Sequence, residues 1–421
     1  MQNTLTMRRT LIIVGAIVVL VGIGVGLYFS IFRGEGTLVS QPGVKLPGSE
    51  TNTGSQTPTT GTQGVGTPVS GAGTEVAPRL VRISDRPVAV GAVAVFVPGI
   101  LASSSPKAST TATVAYTRDP DVRIEYIERE SGNVYGFEAH ARTLTRLSNK
   151  TLPGIQEAVW LPDGSQAYVR FLEKDASTEH VATYALPATG DGGYFLERDL
   201  AQLSVSGSST LMALRTSGNG SSATLSSASG SNVRALFTSA LSSLNVSLGG
   251  GVFVATTRAS VQTDGYAFLI DSKAGTFTRV LGPFQGLTTR ISPSGKLLLY
   301  SYLEKGKTAL AVLDMSANTA TRLPLSTLPE KCTWSTDSLS LYCAVPINLS
   351  GVFPDDWYQG VVSTTDKLWK IDLSSRVATQ LIDPKTAGSV DIDAIALSVD
   401  RTNDVLIFTN KRDKTFWMYD L

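Results

Sequence analysis

Four stretches of this chain align without a gap: YGFEAHARTLTRL (135–147), FLIDSKAGTFTRV (268–280), AVLDMSANTATRL (311–323) and WKIDLSSRVATQL (369–381). In each, an apolar strand ends in an acid: Glu138, Asp271, Asp314 or Asp372. Seven residues later stands a threonine: Thr145, Thr278, Thr321 or Thr379. An acid that closes a strand opens a polar turn through its carboxylate. The β-branched threonine begins the return strand. Each stretch is therefore a hairpin.

A second hairpin precedes most of these. WLPDGSQAYVRF (160–171), ISPSGKLLLYSY (291–302), WSTDSLSLYCAV (334–345) and LSVDRTNDVLIF (397–408) each run strand, tight polar turn, strand. LSVSGSSTLMAL (203–214) fits the pattern more weakly. Two hairpins per unit make a four-stranded antiparallel sheet. The acid positions fall at 138, near 184, near 227, then at 271, 314, 372 and 420. HVATYALP and ATLSSASGSNVRALF keep their strands there but lose the acid. The spacing of about 43–48 residues is that of one propeller blade, and the interval from 314 to 372 carries an insertion. The fold expected is all-β, a seven-bladed β-propeller; six or eight blades fit the spacing less well.

The chain stops at KTFWMYDL (414–421), a third strand with no fourth after it. RLVRISD (79–85) has the pattern of TLTRLSN (143–149), setting Leu80 on Leu144, Arg82 on Arg146 and Ile83 on Leu147. It is a fourth strand with no blade before it. The expectation is that it pairs with residues 415–419, closes the ring and removes an exposed edge.

The turns LPDG (Leu161–Gly164) and SPSG (Ser292–Gly295), with the strands QAYVRF and KLLLYSY, resemble the WD40-like repeats of TolB-type propellers. The propeller domains of prolyl oligopeptidases look similar. STDS and SVDR depart from that turn pattern, and the Trp-Asp dipeptide of true WD40 repeats is absent. The resemblance spans residues 79–421. It implies the propeller fold and extracytoplasmic protein binding, and it supplies no catalytic residues.

Ahead of the repeats, Arg8 and Arg9 precede an uncharged apolar run from Leu11 to Phe32. About 20 apolar residues cross a bilayer as a helix, whereas a cleaved signal core is about 7–15. The reading is a cytoplasmic N-terminus (1–10) and a transmembrane signal-anchor helix (11–32) in the cytoplasmic membrane. The basic flank keeps the N-terminus inside and puts the remainder outside. Residues 33–78 are rich in Gly, Ser, Thr and Pro and too poor in large apolar side chains to bury a core. They read as a flexible stalk, spanning on the order of 35–40 Å as a coil. The propeller occupies 79–421.

A formal net charge of +1 leaves no electrostatic footprint for nucleic acid. With only His140 and His180, zinc, haem and histidine catalysis have little to work with, and no cofactor or metal is expected. No G-x-S-x-G elbow is present. The neighbouring acids Asp119/Asp121, Asp355/Asp356 and Asp391/Asp393 lie too close in sequence to face each other across a glycosidase cleft. No catalytic residue is assigned.

The loop PINLSGVFPDDWYQGVVSTTD (346–366) interrupts one blade between its second and third strands. It gathers Phe353, Asp355, Asp356, Trp357 and Tyr358. Exposed Trp and Tyr would anchor a protein or glycan partner. The plainer alternative has both rings folded back to seal the blade. Cys332 and Cys343 oppose each other across CTWSTDSLSLYC if the turn is at Asp337-Ser338, within disulfide reach. The function expected is a membrane-anchored binding scaffold at the cell envelope. The alternatives are a lyase- or glycosidase-like propeller enzyme with a site in the central channel, or a structural subunit of an envelope complex.

Overall fold

The computed structural model describes residues 78–101, 116–175, 178–206, 210–349 and 351–421. The segments read as cytoplasmic tail, membrane anchor and stalk lie outside these residues, apart from Pro78. Among the described residues, no helix is long and apolar enough to cross a membrane.

Seven four-stranded antiparallel sheets follow one another around the ring. Each repeat acid, or its degenerate equivalent, stands at the end of a third strand. Blade 1 is Val93–Val97, Asp121–Ile127, Val134–Glu138 and Thr143–Arg146. Blade 2 is Glu157–Trp160, Gln166–Asp175, Thr178–Pro187 and Tyr194–Phe195. Blade 3 is Leu200–Ser206, Thr210–Ser217, Gly220–Ser227 and Arg234–Ser239. Blade 4 is Leu244–Gly249, Val252–Thr257, Asp264–Ile270 and Phe277–Gln285. Blade 5 is Thr288–Ile291, Leu297–Glu304, Lys307–Asp314 and Thr319–Arg322. Blade 6 is Cys332–Trp334, Ser340–Pro346, Asp366–Asp372 and Ala378–Ile382. Blade 7 takes Ala394–Val399, Val405–Asn410 and Phe416–Asp420 from the end of the chain and Leu80–Ser84 from its beginning.

The seam pairs Leu80 with Tyr419, Val81 with Met418 and Arg82 with Trp417, then shifts register before Ser84 meets Phe416. The side chains alternate between the two faces as in a plain strand. Val81 and Ile83 pack toward blade 1 with Phe416 and Met418, while Leu80 packs on the other face with Trp417 and Tyr419.

Apolar burial explains why a ring forms. Seven core clusters each lie between two consecutive blades, from the blade 7–blade 1 cluster around Ile124 and Ile407 to the blade 6–blade 7 cluster around Tyr342 and Phe408. A sheet with two apolar faces stays soluble only when both are covered. The carboxylates of Asp271 and Asp314 each accept the backbone N–H groups two and three residues on. Asp372 accepts the N–H of Ser375 and both serine hydroxyls, which hold its carboxyl down at about 2. Blade 1 has Glu138 at this place, and Asp121 of the adjacent strand caps His140 and Ala141 instead.

Antiparallel order gives the disc two distinct faces. The turns after third strands lie on one, where Arg79 meets Asp420. The 347–365 insertion lies on the other. The chain therefore enters the disc on the face opposite the insertion.

Candidate functional site

The insertion is built around one helical turn, Asp355–Tyr358, here called α1. The Asp356 carboxylate accepts the N–H of Val352 and draws the loop tight. Asp355 reaches blade 4, accepting the N–H of Val261 at 3.2 Å. Phe353 and Trp357 turn inward, 7% and 4% exposed, and pack with Leu328 and Ile395. Tyr358 stays 40% exposed. So the two rings divide: Trp357 folds back, as the plainer sequence reading has it, and is no surface anchor. Its indole is too large an apolar surface to leave in water once a hydrogen-bond acceptor lies beneath it.

That acceptor is Asp393, just before the first strand of blade 7. Both its oxygens lie 3.1 Å from Trp357 Nε1. It also accepts the Thr364 N–H and hydroxyl, and lies 2.6 Å from Lys331 Nζ. Lys331 ends the 3-10 turn Pro329–Lys331 between blades 5 and 6. Its ammonium is also 2.6 Å from Asp366 at the start of the third strand of blade 6. All three side chains are fully buried. Burial drives the Asp366 carboxyl up against the pull of Lys331. Burial also acts on Asp393, but Lys331 and the Thr364 and Trp357 donors outweigh it and hold that carboxyl below its ordinary range. Lys411 of blade 7 lies 4.0 Å over the Trp357 ring and donates to its backbone carbonyl. The insertion is thus pinned to blades 4, 6 and 7.

Beside it opens a cavity of about 290 Å³, walled by Asn245, Thr256 and Arg258 of blade 4, Thr288 of blade 5, Glu330 and Tyr358. The Tyr358 hydroxyl donates to Glu330 Oε1 at 2.6 Å. Burial raises the Glu330 carboxyl; the Tyr358 ring keeps one side exposed, but its hydroxyl end points inward, where burial and the adjacent Glu330 raise the phenol well above its usual value. Arg290 lies close enough to act on Glu330 electrostatically and donates to the Cys332 carbonyl at 2.6 Å. This wall offers hydroxyls, an amide, a guanidinium and one carboxyl, a set suited to a polar group about the size of one sugar or side chain.

The sequence singled out Phe353, Asp355, Asp356, Trp357 and Tyr358, and the structure gathers them in α1 and the residues just before it. It did not single out Lys331, Glu330, Asp366 or Thr364. Asp393 figured only as a neighbour of Asp391, which turns away to Lys385 and Thr365. Cys332 and Cys343 are directly opposed in register and joined by a disulfide, with Cα atoms 4.0 Å apart. His140 sits beside Asp121 and His180 beside Asp199, both remote from the insertion.

Fold and face together define a seven-bladed β-propeller, closed by its own N-terminal strand and capped by an insertion in blade 6. No protein-family model matches the chain, and no curated protein matches it. Among solved structures, an oligogalacturonate lyase from Vibrio parahaemolyticus superposes with a TM-score of 0.51 at 8% identity, over 82% of this chain and 94% of that one. TolB from Acinetobacter baumannii gives a TM-score of 0.43 at 14% identity, over 61% of this chain. The match spans 63% of TolB's own length. The likeness to the lyase is one of fold.

Proposed function

We propose that this chain is a membrane-anchored, extracytoplasmic propeller that binds a protein partner through the face carrying the insertion. One observation carries the reading. Ile347, Leu349, Val352, Val361 and Tyr358 are all exposed on a loop whose Trp357 is locked down by the buried Asp393 and whose Phe353 is packed against Leu328 and Trp357. A fixed apolar relief beside a largely apolar cavity with a few polar groups on its wall is the form of a preorganised interface. The seam enters on the opposite face, so a tether there leaves this one clear. A disulfide suits an oxidising compartment, and the apolar run at 11–32 suits a single crossing with Arg8 and Arg9 inside.

A photo-crosslinker at position 361 in intact cells is expected to trap a defined partner, and Leu349→Lys is expected to abolish the adduct. Equal trapping from position 163, on the opposite face, would refute the assignment. Topology is checked with a cysteine placed in 33–78. It should react with an impermeant maleimide once any outer barrier is opened, and labelling only after the inner membrane is lysed would refute an external propeller.

A second reading is a propeller enzyme, and the Glu330–Tyr358 pair on the cavity wall favours it. A carboxyl raised by burial beside a phenol is a general acid–base arrangement. Among the cavity's described lining residues Glu330 is the sole carboxyl, so the two-carboxylate geometry of glycoside hydrolysis is not met.

A further inference from the structure

The Lys331–Asp366–Asp393 cluster has more in it than an ion pair. Two carboxyls share the Lys331 ammonium, all three fully buried, and keeping both carboxyls ionised there is expensive. Lys411 acts electrostatically on Asp393 as well, so the surroundings choose which carboxyl a proton suits better. Asp393 accepts from Trp357 and twice from Thr364, the environment of a carboxylate. Asp366 accepts from Ala394 N–H and Lys331 only, and its Oδ1 has no hydrogen-bond partner. The cluster therefore sets a carboxyl that burial pushes toward its neutral form, a lysine nitrogen and a well-donated carboxylate in contact and buried.

Those are the parts of an amide condensation. A nitrogen 2.6 Å from one carboxyl oxygen stands about 3–3.5 Å from the carboxyl carbon, the separation of a near-attack pair.

We propose that Lys331 and Asp366 join in an intramolecular isopeptide bond, with Asp393 carrying the proton. The Lys331 ammonium hands a proton to the Asp393 carboxylate. The freed amine lone pair attacks Cγ of the Asp366 carboxylic acid. Asp393 protonates the departing hydroxyl, and the nitrogen's second proton returns to Asp393 as the carbon–oxygen bond breaks. One C–N bond forms, one C–O bond breaks and one water leaves. Asp393 ends as a neutral acid able to donate to the new amide carbonyl. No oxidant, cofactor or second substrate is required. The bond would staple the first residue before blade 6 to the start of its third strand, holding both ends of the segment that carries the insertion. It is independent of what the insertion binds.

The test is a tryptic digest of the full chain, denatured and reduced. Trypsin cuts after Arg322, Lys331 and Lys367, with no other basic residue between the last two. An ordinary ion pair yields two unmodified peptides, 323–331 and 332–367, and that result overturns the proposal. The isopeptide blocks the cut at Lys331, so the expected product is a single peptide 323–367 lighter by one water. Asp366→Ala should restore cleavage at Lys331. Asp393→Asn should lower the cross-linked fraction at least tenfold. Full cross-linking in that variant, or an amide found on Asp393, would overturn the assigned roles. The wild-type digest decides the main point even if neither variant folds.

Discussion

At the scale of single residues, Trp357 links the loop that displays the apolar surface to the buried charges beneath. Removing so large a buried ring costs about 3–5 kcal/mol. Trp357→Phe keeps most of the packing and loses only the indole donor, which costs about 1–3 kcal/mol with Asp393 left short of a partner. The expected order in urea melts is wild type, then Trp357→Phe, then Trp357→Ala. Amide exchange should quicken most at 352–362, and unchanged protection there in Trp357→Ala would contradict the pinning role. Glu330 supports a pH prediction with a definite sign. Burial raises its carboxyl above the ordinary 4.5, so the folded state keeps a proton that the unfolded chain has already lost. The folded state then binds more protons, and stability falls as pH rises. The contribution is full below the unfolded value and is lost as pH climbs through the folded one. Stability of wild type minus that of Glu330→Gln, measured by urea melts from pH 4 to 7, should decline across the range. A flat or rising difference would show that Glu330 is not held protonated. The residues doing this work were only half legible in the sequence. A cluster of aromatics in a loop draws notice, but Lys331, Asp366 and Asp393 lie far apart from one another in sequence and meet only when blades 6 and 7 do.

At the scale of elements, the repeat aspartates of blades 4, 5 and 6 proved to be turn caps, and in blade 1, where the acid is Glu138, the capping role passes to Asp121 of the neighbouring strand. The third and fourth strands were most legible in blades 1, 4, 5 and 6, which carry the same acid-to-threonine spacing, and less so in blades 2 and 3, which lose the acid. Two first hairpins were not. Blade 4 turns at Gly250 and Gly251 without the Pro-Ser-Gly or Pro-Asp-Gly signature, and blade 1 separates its first two strands by residues 98–120. Neighbouring blades also meet at points no local pattern reveals. Between blades 1 and 2, Val90 bridges to Glu157 in parallel, and Gly91 follows with φ of +108°. A β-carbon on Gly91 would lie 2.1 Å from the Ala158 carbonyl oxygen. Gly91→Ala therefore combines a forbidden backbone angle with a backbone clash, for a cost of at least about 2 kcal/mol. Gly218→Ala, where the methyl meets open space, is the control. Thermal melts should separate the two by several degrees, and coincident melts would mean the blade 1–2 junction can shift to make room.

At the scale of the whole molecule, seven inter-blade cores make stability a property of the closed ring, since a gap leaves two apolar faces without a neighbour. The closing strand was legible in the sequence because RLVRISD repeats the pattern of a fourth strand. Its bulge was not, because a bulge inserts no recognisable residue type. The seam joins parts of the chain more than 330 residues apart through Arg79 on the Asp420 carbonyl, the ladder from Leu80 to Ser84, and the packing of Leu80, Val81 and Ile83 against both neighbouring blades. Arg142 of blade 1 adds an ion pair to the Asp420 carboxylate at 2.5 Å. Removing the strand uncovers the edge of Phe416–Asp420, whose Phe416, Trp417, Met418 and Tyr419 are buried in the intact ring. An unpaired aromatic edge recruits another chain. A chain beginning at Arg86 should therefore aggregate or elute as a multimer in size-exclusion chromatography. One beginning at Ala77 should stay monomeric and melt in a single transition. If the two melt alike and both remain monomeric, blade 7 holds with three strands and the seam does not close the ring.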